Sequence, residues 1–183
     1  YLIRVDRGPF RFGTAEIPMD RLNNIDSVVV YENGRALREG CFGGEGTYCV
    51  STYNDTLSIQ YNFNSPANSG DTREIAIVYS VTGALRSYED GDQLYWVAIP
   101  ADLPFPVLDA SVTVEMPANA PPEIIGSYPE EWPYEVDGTT ITWNAPGRMR
   151  RGDWFEVRVQ YPHVPAMTKP GWQSTFDLQR NYE

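Results

Sequence analysis

Apolar and polar residues alternate along most of this chain with the two-residue period of a β-strand. Residues 56–64 show it most cleanly: Leu57, Ile59, Tyr61 and Phe63 fall on one face, and Ser58, Gln60 and Asn62 on the other. Residues 72–81 repeat it with Ile75, Ile77, Tyr79 and Val81; Ala76 and Val78 make the second face mixed, which points to a place near a sheet centre. The same alternation marks Val112, Val114 and Met116, and again Phe155, Val157, Val159 and Tyr161. Residues 93–99 form an apolar run containing Leu94, Tyr95 and Trp96, read as a buried strand. Asn33-Gly34 and Asp137-Gly138 stand between extended runs, and such pairs favour two-residue hairpin turns because they tolerate positive φ.

About nine strands at this spacing predict an all-β fold: an antiparallel β-sandwich of the immunoglobulin/fibronectin-like kind with little or no helix, spanning 1–165. Residues 166–183 read as a C-terminal tail leaving the domain. Ser174 and Asp177 have capping-box spacing, but Pro170-Gly171 precedes them.

Composition supports a folded globule: 183 residues are 42% hydrophobic and 21% charged. The net charge is −11, and Lys169 is the only lysine among the basic residues. That field disfavours nucleic acid and anionic membrane surfaces as partners. No apolar run reaches the ~20 residues of a membrane span, so the chain itself is expected to be soluble. The two cysteines, Cys41 and Cys49, bracket a glycine-rich segment between extended runs, and a hairpin there would bring them close enough to bridge.

Catalytic patterns are sparse. His163 is the only histidine and has no Gly-x-Ser-x-Gly elbow to serve. A hydrolase would need facing acids, for which Glu89, Asp90 and Asp92 are one candidate group and Glu130 with Glu131 another. Oxygen ligands around Gly91 also invite a calcium reading, but the full EF-hand spacing is missing, so neither a metal nor a cofactor is expected. Tyr128, Trp132 and Tyr134 sit in a proline-stiffened loop; such rings either stack on a sugar or a protein partner, or tuck inward and plug the end of the sandwich. Arg151-Gly152-Asp153 matches an adhesion tripeptide and reads as a turn.

Several segments resemble the N-terminal extracytoplasmic domain of a family of predicted bacterial membrane proteins, domain of unknown function two-two-zero-seven. They are Ala15-Glu16-Ile17-Pro18, Ile25 to Val30 with Gly34, Glu74 to Leu85, Val112 to Pro117, and above all Asp90-Gly91-Asp92-Gln93-Leu94-Tyr95-Trp96. Val97 and Pro100 depart from the family's pattern after that motif, and the cysteine pair is not its hallmark. The resemblance implies a transmembrane anchor downstream of Glu183, with Trp172-Gln173 near the bilayer, and a location on the extracytoplasmic face of a bacterial membrane. It assigns no chemistry. The resulting expectation is a non-enzymatic ectodomain that acts as a binding or structural module toward an unknown protein or cell-envelope ligand. The rivals are a carbohydrate-binding module using Tyr128, Trp132 and Tyr134, and a hydrolase using Glu89, Asp90 and Asp92.

Overall fold

Each alternating run forms a strand. The computed structural model describes residues 1–129 and 132–180, the side chains of 179 and 180 excepted. Fourteen strands and one helix lie among the described residues, in two compact units, Tyr1–Gly83 and Ala84–Glu183. The fold is nearly all β, as the alternation predicts.

The first unit contains β1 (Leu2–Arg4), β2 (Phe10–Pro18), β3 (Asn24–Glu32), β4 (Arg35–Ala36), β5 (Arg38–Glu39), β6 (Thr47–Tyr53), β7 (Thr56–Ala67) and β8 (Thr72–Thr82). They make two four-stranded sheets, ordered β1-β8-β3-β4 and β2-β7-β6-β5. The predicted inner face of β7 is the observed one: Leu57, Ile59, Tyr61 and Phe63 are all buried, with Val30 and Ile75 of the other sheet. Burial of each such side chain is worth about 1.5–3 kcal/mol. Val78 is exposed, so β8 is an interior strand with one bare face. Gly13 faces Tyr61 across the β2–β7 pair, and a Cβ there would collide with the phenol ring. Burial pushes the Tyr61 hydroxyl up to about 12.

Asn33 and Gly34 adopt positive φ and close the β3–β4 turn, as expected. Asn54 and Asp55 do the same between β6 and β7 without a glycine. Cys41 and Cys49 form the expected disulfide, with Cα atoms 4.6 Å apart. The segments it joins are not a hairpin, however: β5 runs parallel to β6, because the glycine-rich loop carries the chain back before it pairs.

The second unit contains β9 (Asp92–Ile99), β10 (Ser111–Glu115), β11 (Ile124–Tyr128), β12 (Tyr134–Asp137), β13 (Thr140–Asn144), β14 (Phe155–Tyr161) and α1 (Gln173–Arg180). Two three-stranded antiparallel sheets, β11-β14-β9 and β10-β13-β12, enclose a core of Ile141, Trp143, Phe155, Val157 and Val159. The β12–β13 turn falls on Gly138 and Thr139, one residue later than the Asp-Gly pair suggests.

Two expectations need correction. A single sandwich over 1–165 is replaced by two units, each closing its own pair of sheets over its own apolar residues. Alternation reveals which face of a strand is apolar but not which sheet it meets. Residues 166–180, the described part of the expected tail, likewise do not leave the unit. Gln173 is fully buried; its Oε1 accepts from Ser87 N–H at 2.9 Å and its Nε2 donates to Ser87 C=O at 3.0 Å. The amide thus pairs with the backbone as a strand neighbour would, and it holds α1 against residues 86–88. Asp177 reinforces this, accepting from Tyr88 Oη and Lys169 Nζ, both at 2.9 Å. The guanidinium of Arg86 lies 4.4 Å from the Tyr95 ring centre and 4.2 Å from that of Phe176.

Candidate functional site

The turn around Gly91 holds three of the candidate acids. Glu89 and Asp90 are exposed, but Asp92 is completely buried at the start of β9. Its Oδ1 lies 3.0 Å from His163 Nδ1, and its Oδ2 accepts from Val164 N–H at 2.8 Å. Burial alone would raise the Asp92 pKa. The hydrogen bonds from Val164, His163 and Ser87, with the charge of His163, outweigh it and hold the carboxyl below its ordinary value. A withdrawn, fully engaged carboxylate cannot face a second acid across a substrate, so the geometry gives the Glu89/Asp90/Asp92 hydrolase reading no acid pair.

The rest of this motif packs in the same way. Gly91 has φ +137, and a Cβ on it would stand 2.9 Å from Tyr161 C=O. Gln93 Nε2 donates to Gln160 Oε1 at 3.0 Å across the β9–β14 pair. His163 joins this latch rather than a triad. Among the described residues no group of three His, Cys, Asp or Glu is placed to hold a metal ion. The candidate pair Glu130 and Glu131 lies outside the described residues.

The aromatic loop divides. Trp132 is only 5% exposed, and its indole stacks on Phe155 with ring centroids 3.7 Å apart and planes 16° from parallel. It is a core ring. Tyr134 is half-exposed at the β12 edge, tilted against Trp143 at 6.0 Å. Tyr128, at the end of β11, is also half-exposed and meets Trp154 at 4.8 Å.

Tyr128 and Trp154 line an open cleft of about 560 Å³ in the second unit. Trp132 and Met149, both buried, line it as well. Its rim carries Pro146, Arg148 and Asp153. The Arg151-Gly152-Asp153 tripeptide is the turn beside it: Asp153 Oδ2 accepts from Arg150 N–H at 2.7 Å, and Gly152 takes φ +92. Sequence reading missed Trp154 and Arg148 as site residues because they precede a strand rather than share the loop of Tyr128. The signal was the arginine-rich run 148–151 set against an otherwise acidic chain.

A second, smaller nook in the first unit surrounds buried Glu32. Arg73 Nε lies 3.2 Å from Glu32 Oε1 as an ion pair rather than an aligned hydrogen bond, and Asn64 N–H donates to Glu32 Oε2 at 2.7 Å. These contacts satisfy the carboxylate internally and tie the two sheets of that unit.

A family profile described as predicted membrane protein (DUF2207) N-terminal domain matches residues 8–161. No curated protein and no solved structure matches the chain. No helix among the described residues is long and apolar enough to cross a membrane.

Proposed function

We propose, since this chain belongs to the DUF2207 N-terminal domain family of predicted membrane proteins, that it is the extracytoplasmic ectodomain of a membrane-anchored protein and acts by binding rather than by catalysis. The observation that carries this reading is the cleft of about 560 Å³ with two partly exposed rings lining it and no convergent acid pair in the Gly91 turn. The two folded units have no described spanning helix, which suits a domain presented beside a membrane. Sidedness is tested by adding protease to intact spheroplasts: the domain is cleaved if it faces outward, and protection reverses the assignment.

The tilted Tyr128–Trp154 pair favours a carbohydrate among possible ligands, because ring faces bury the C–H face of a sugar at low entropic cost. This keeps the carbohydrate reading but moves it from the Tyr128/Trp132/Tyr134 loop to the cleft, where Trp132 is a buried lining residue. Titration with cell-wall polysaccharides should change tryptophan fluorescence in the native chain and not in Tyr128→Ala or Trp154→Ala. Response to no polysaccharide removes the carbohydrate reading; an unchanged response in both variants removes the cleft.

A further inference from the structure

The outer strands of the first unit end its sheets in different ways. β1, β4 and β5 are only two or three residues long, and so short an edge offers little to a foreign strand. β2 is nine residues long, carries no lysine, and pairs on one side only, with β7. Among the described residues none bonds to the backbone of Phe12–Ile17 from the other side. Gly13, Ala15 and Ile17 stand opposite buried Tyr61, Ile59 and Leu57. Phe12, Thr14 and Glu16 therefore share the outer face, and all three are exposed, the Phe12 ring at 54%. Unpaired N–H and C=O groups beside a bare ring form a template for a further strand.

We propose that β2 pairs with β2 of a second copy of this chain, about a two-fold axis through Thr14. A two-fold axis across a strand reverses its direction, so a strand meeting its own copy pairs antiparallel. Residues directly opposite share a face, so the axis passes through a residue and not between two. Centred on Thr14, the strands overlap end to end and the two Thr14 hydroxyls meet, a favourable cross-strand pair. Phe12 then lies across from the partner's Glu16 and diagonal to the partner's Thr14 and Pro18, within reach of an aromatic side chain. Charge agrees with this register. Arg11 and Glu16 are the only charged residues of β2, and they meet the partner's Ile17 and the partner's Phe12, never a like charge. The β12 edge shows the contrast: an axis on Glu135, Val136 or Asp137 would set acid against acid. That self-compatibility selects a second copy over an unrelated strand. The contact lies in the first unit and does not depend on what the cleft binds.

Analytical ultracentrifugation of the whole chain over a concentration series is the test. The expected result is a reversible rise from 20.7 kDa to twice that mass. Thr14 is exposed, so Thr14→Lys and Thr14→Glu should each melt with the native chain where that chain is monomeric. Each sets like charges face to face at the axis and should weaken the dimer roughly tenfold or more. An equimolar mixture of the two variants sets opposite charges there and should restore a dimer containing both. A chain that stays monomeric throughout overturns the proposal and leaves the β2 edge to a strand of another protein. A dimer that neither variant weakens overturns β2 as the contact. A dimer lost in both variants and not regained in their mixture overturns the axis through Thr14.

Discussion

Replacing Trp132 separates the two uses of an aromatic loop. A ligand platform loses binding and keeps its stability; a plug loses its stability. The indole is 5% exposed and lies flat on Phe155 at 3.7 Å. A buried indole removes about 200 Å² of surface from water, or about 5 kcal/mol at ~25 cal/mol per Å² as an upper bound. Large-to-small aromatic substitutions in cores cost about 3–5 kcal/mol, and a site beside an open cleft can partly collapse, so the lower end applies to Trp132→Ala. For a unit of roughly 100 residues, about 3 kcal/mol corresponds to a fall of about 12–24 °C in Tm. Trp132→Phe keeps a stacked ring and should lose about a third as much.

The assay is urea denaturation followed by tryptophan fluorescence. All five tryptophans, Trp96, Trp132, Trp143, Trp154 and Trp172, belong to the Ala84–Glu183 unit, so the signal reports that unit alone. A change below about 1 kcal/mol, with sugar binding abolished, would refute the plug and return Trp132 to the ligand.

Three further outcomes follow from the contacts. Asp92 titrates below its ordinary value of 3.8 in the folded state, so its contribution is full above that pH and is lost as pH falls through the lower folded value. Native stability should therefore drop more steeply below pH 4 than that of Asp92→Asn, with Asp177 adding to the same window in both proteins; equal slopes in acid denaturation count against the latch. Gln173→Ala strands the N–H and C=O of Ser87, at about 1–3 kcal/mol for each buried group left unpaired. Hydrogen exchange should then show residues 173–180 unprotected while β9 and β14 keep their protection; unchanged protection would mean the amide pairing does not hold the helix. Non-reduced protein should weigh 2 Da less than the fully reduced chain, and Cys41→Ser with Cys49→Ser should cost about 2.5 kcal/mol by loop entropy; two freely alkylated thiols in the native chain would contradict the bridge.

Strand identity was legible wherever one face is buried and the other wet. The four residues of β7 predicted inward are all core, and so are Phe155, Val157, Val159 and Tyr161 of β14. Less regular strands escaped. β2 is interrupted by Gly13, whose missing side chain is a packing requirement of Tyr61 and not a sequence pattern. The β6–β7 turn uses Asn54 and Asp55, and without a glycine it did not read as a turn. The capping-box spacing of Ser174 and Asp177 hinted at α1, but its docking did not show in the sequence because it rests on the polar contacts of Gln173 and Asp177 and on Phe176 against Arg86, not on an apolar stripe. The aromatic loop was half legible. Its clustered rings mark the region, but only the fold decides that Trp132 points inward while Tyr128 meets Trp154, 26 positions along the chain.

The segment that carries the family resemblance most strongly, 90–96, turns out to be a packing device. Gly91 lets Tyr161 C=O approach, Asp92 fixes the chain at Val164, Gln93 meets Gln160, and Tyr95 lies over Arg86. Substitutions there should act on folding, whereas the cleft is lined by Tyr128, Pro129 and Trp132 and by residues 146–149 and 152–154, outside that motif. The latch around β9 and the lining of the cleft are thus built from separate stretches of the chain. Asp92→Asn should therefore lower the stability of this unit, whereas Tyr128→Ala, at a half-exposed ring, should cost much less. Equal losses of stability in Asp92→Asn and Tyr128→Ala, read by urea denaturation, would contradict that separation of latch and cleft.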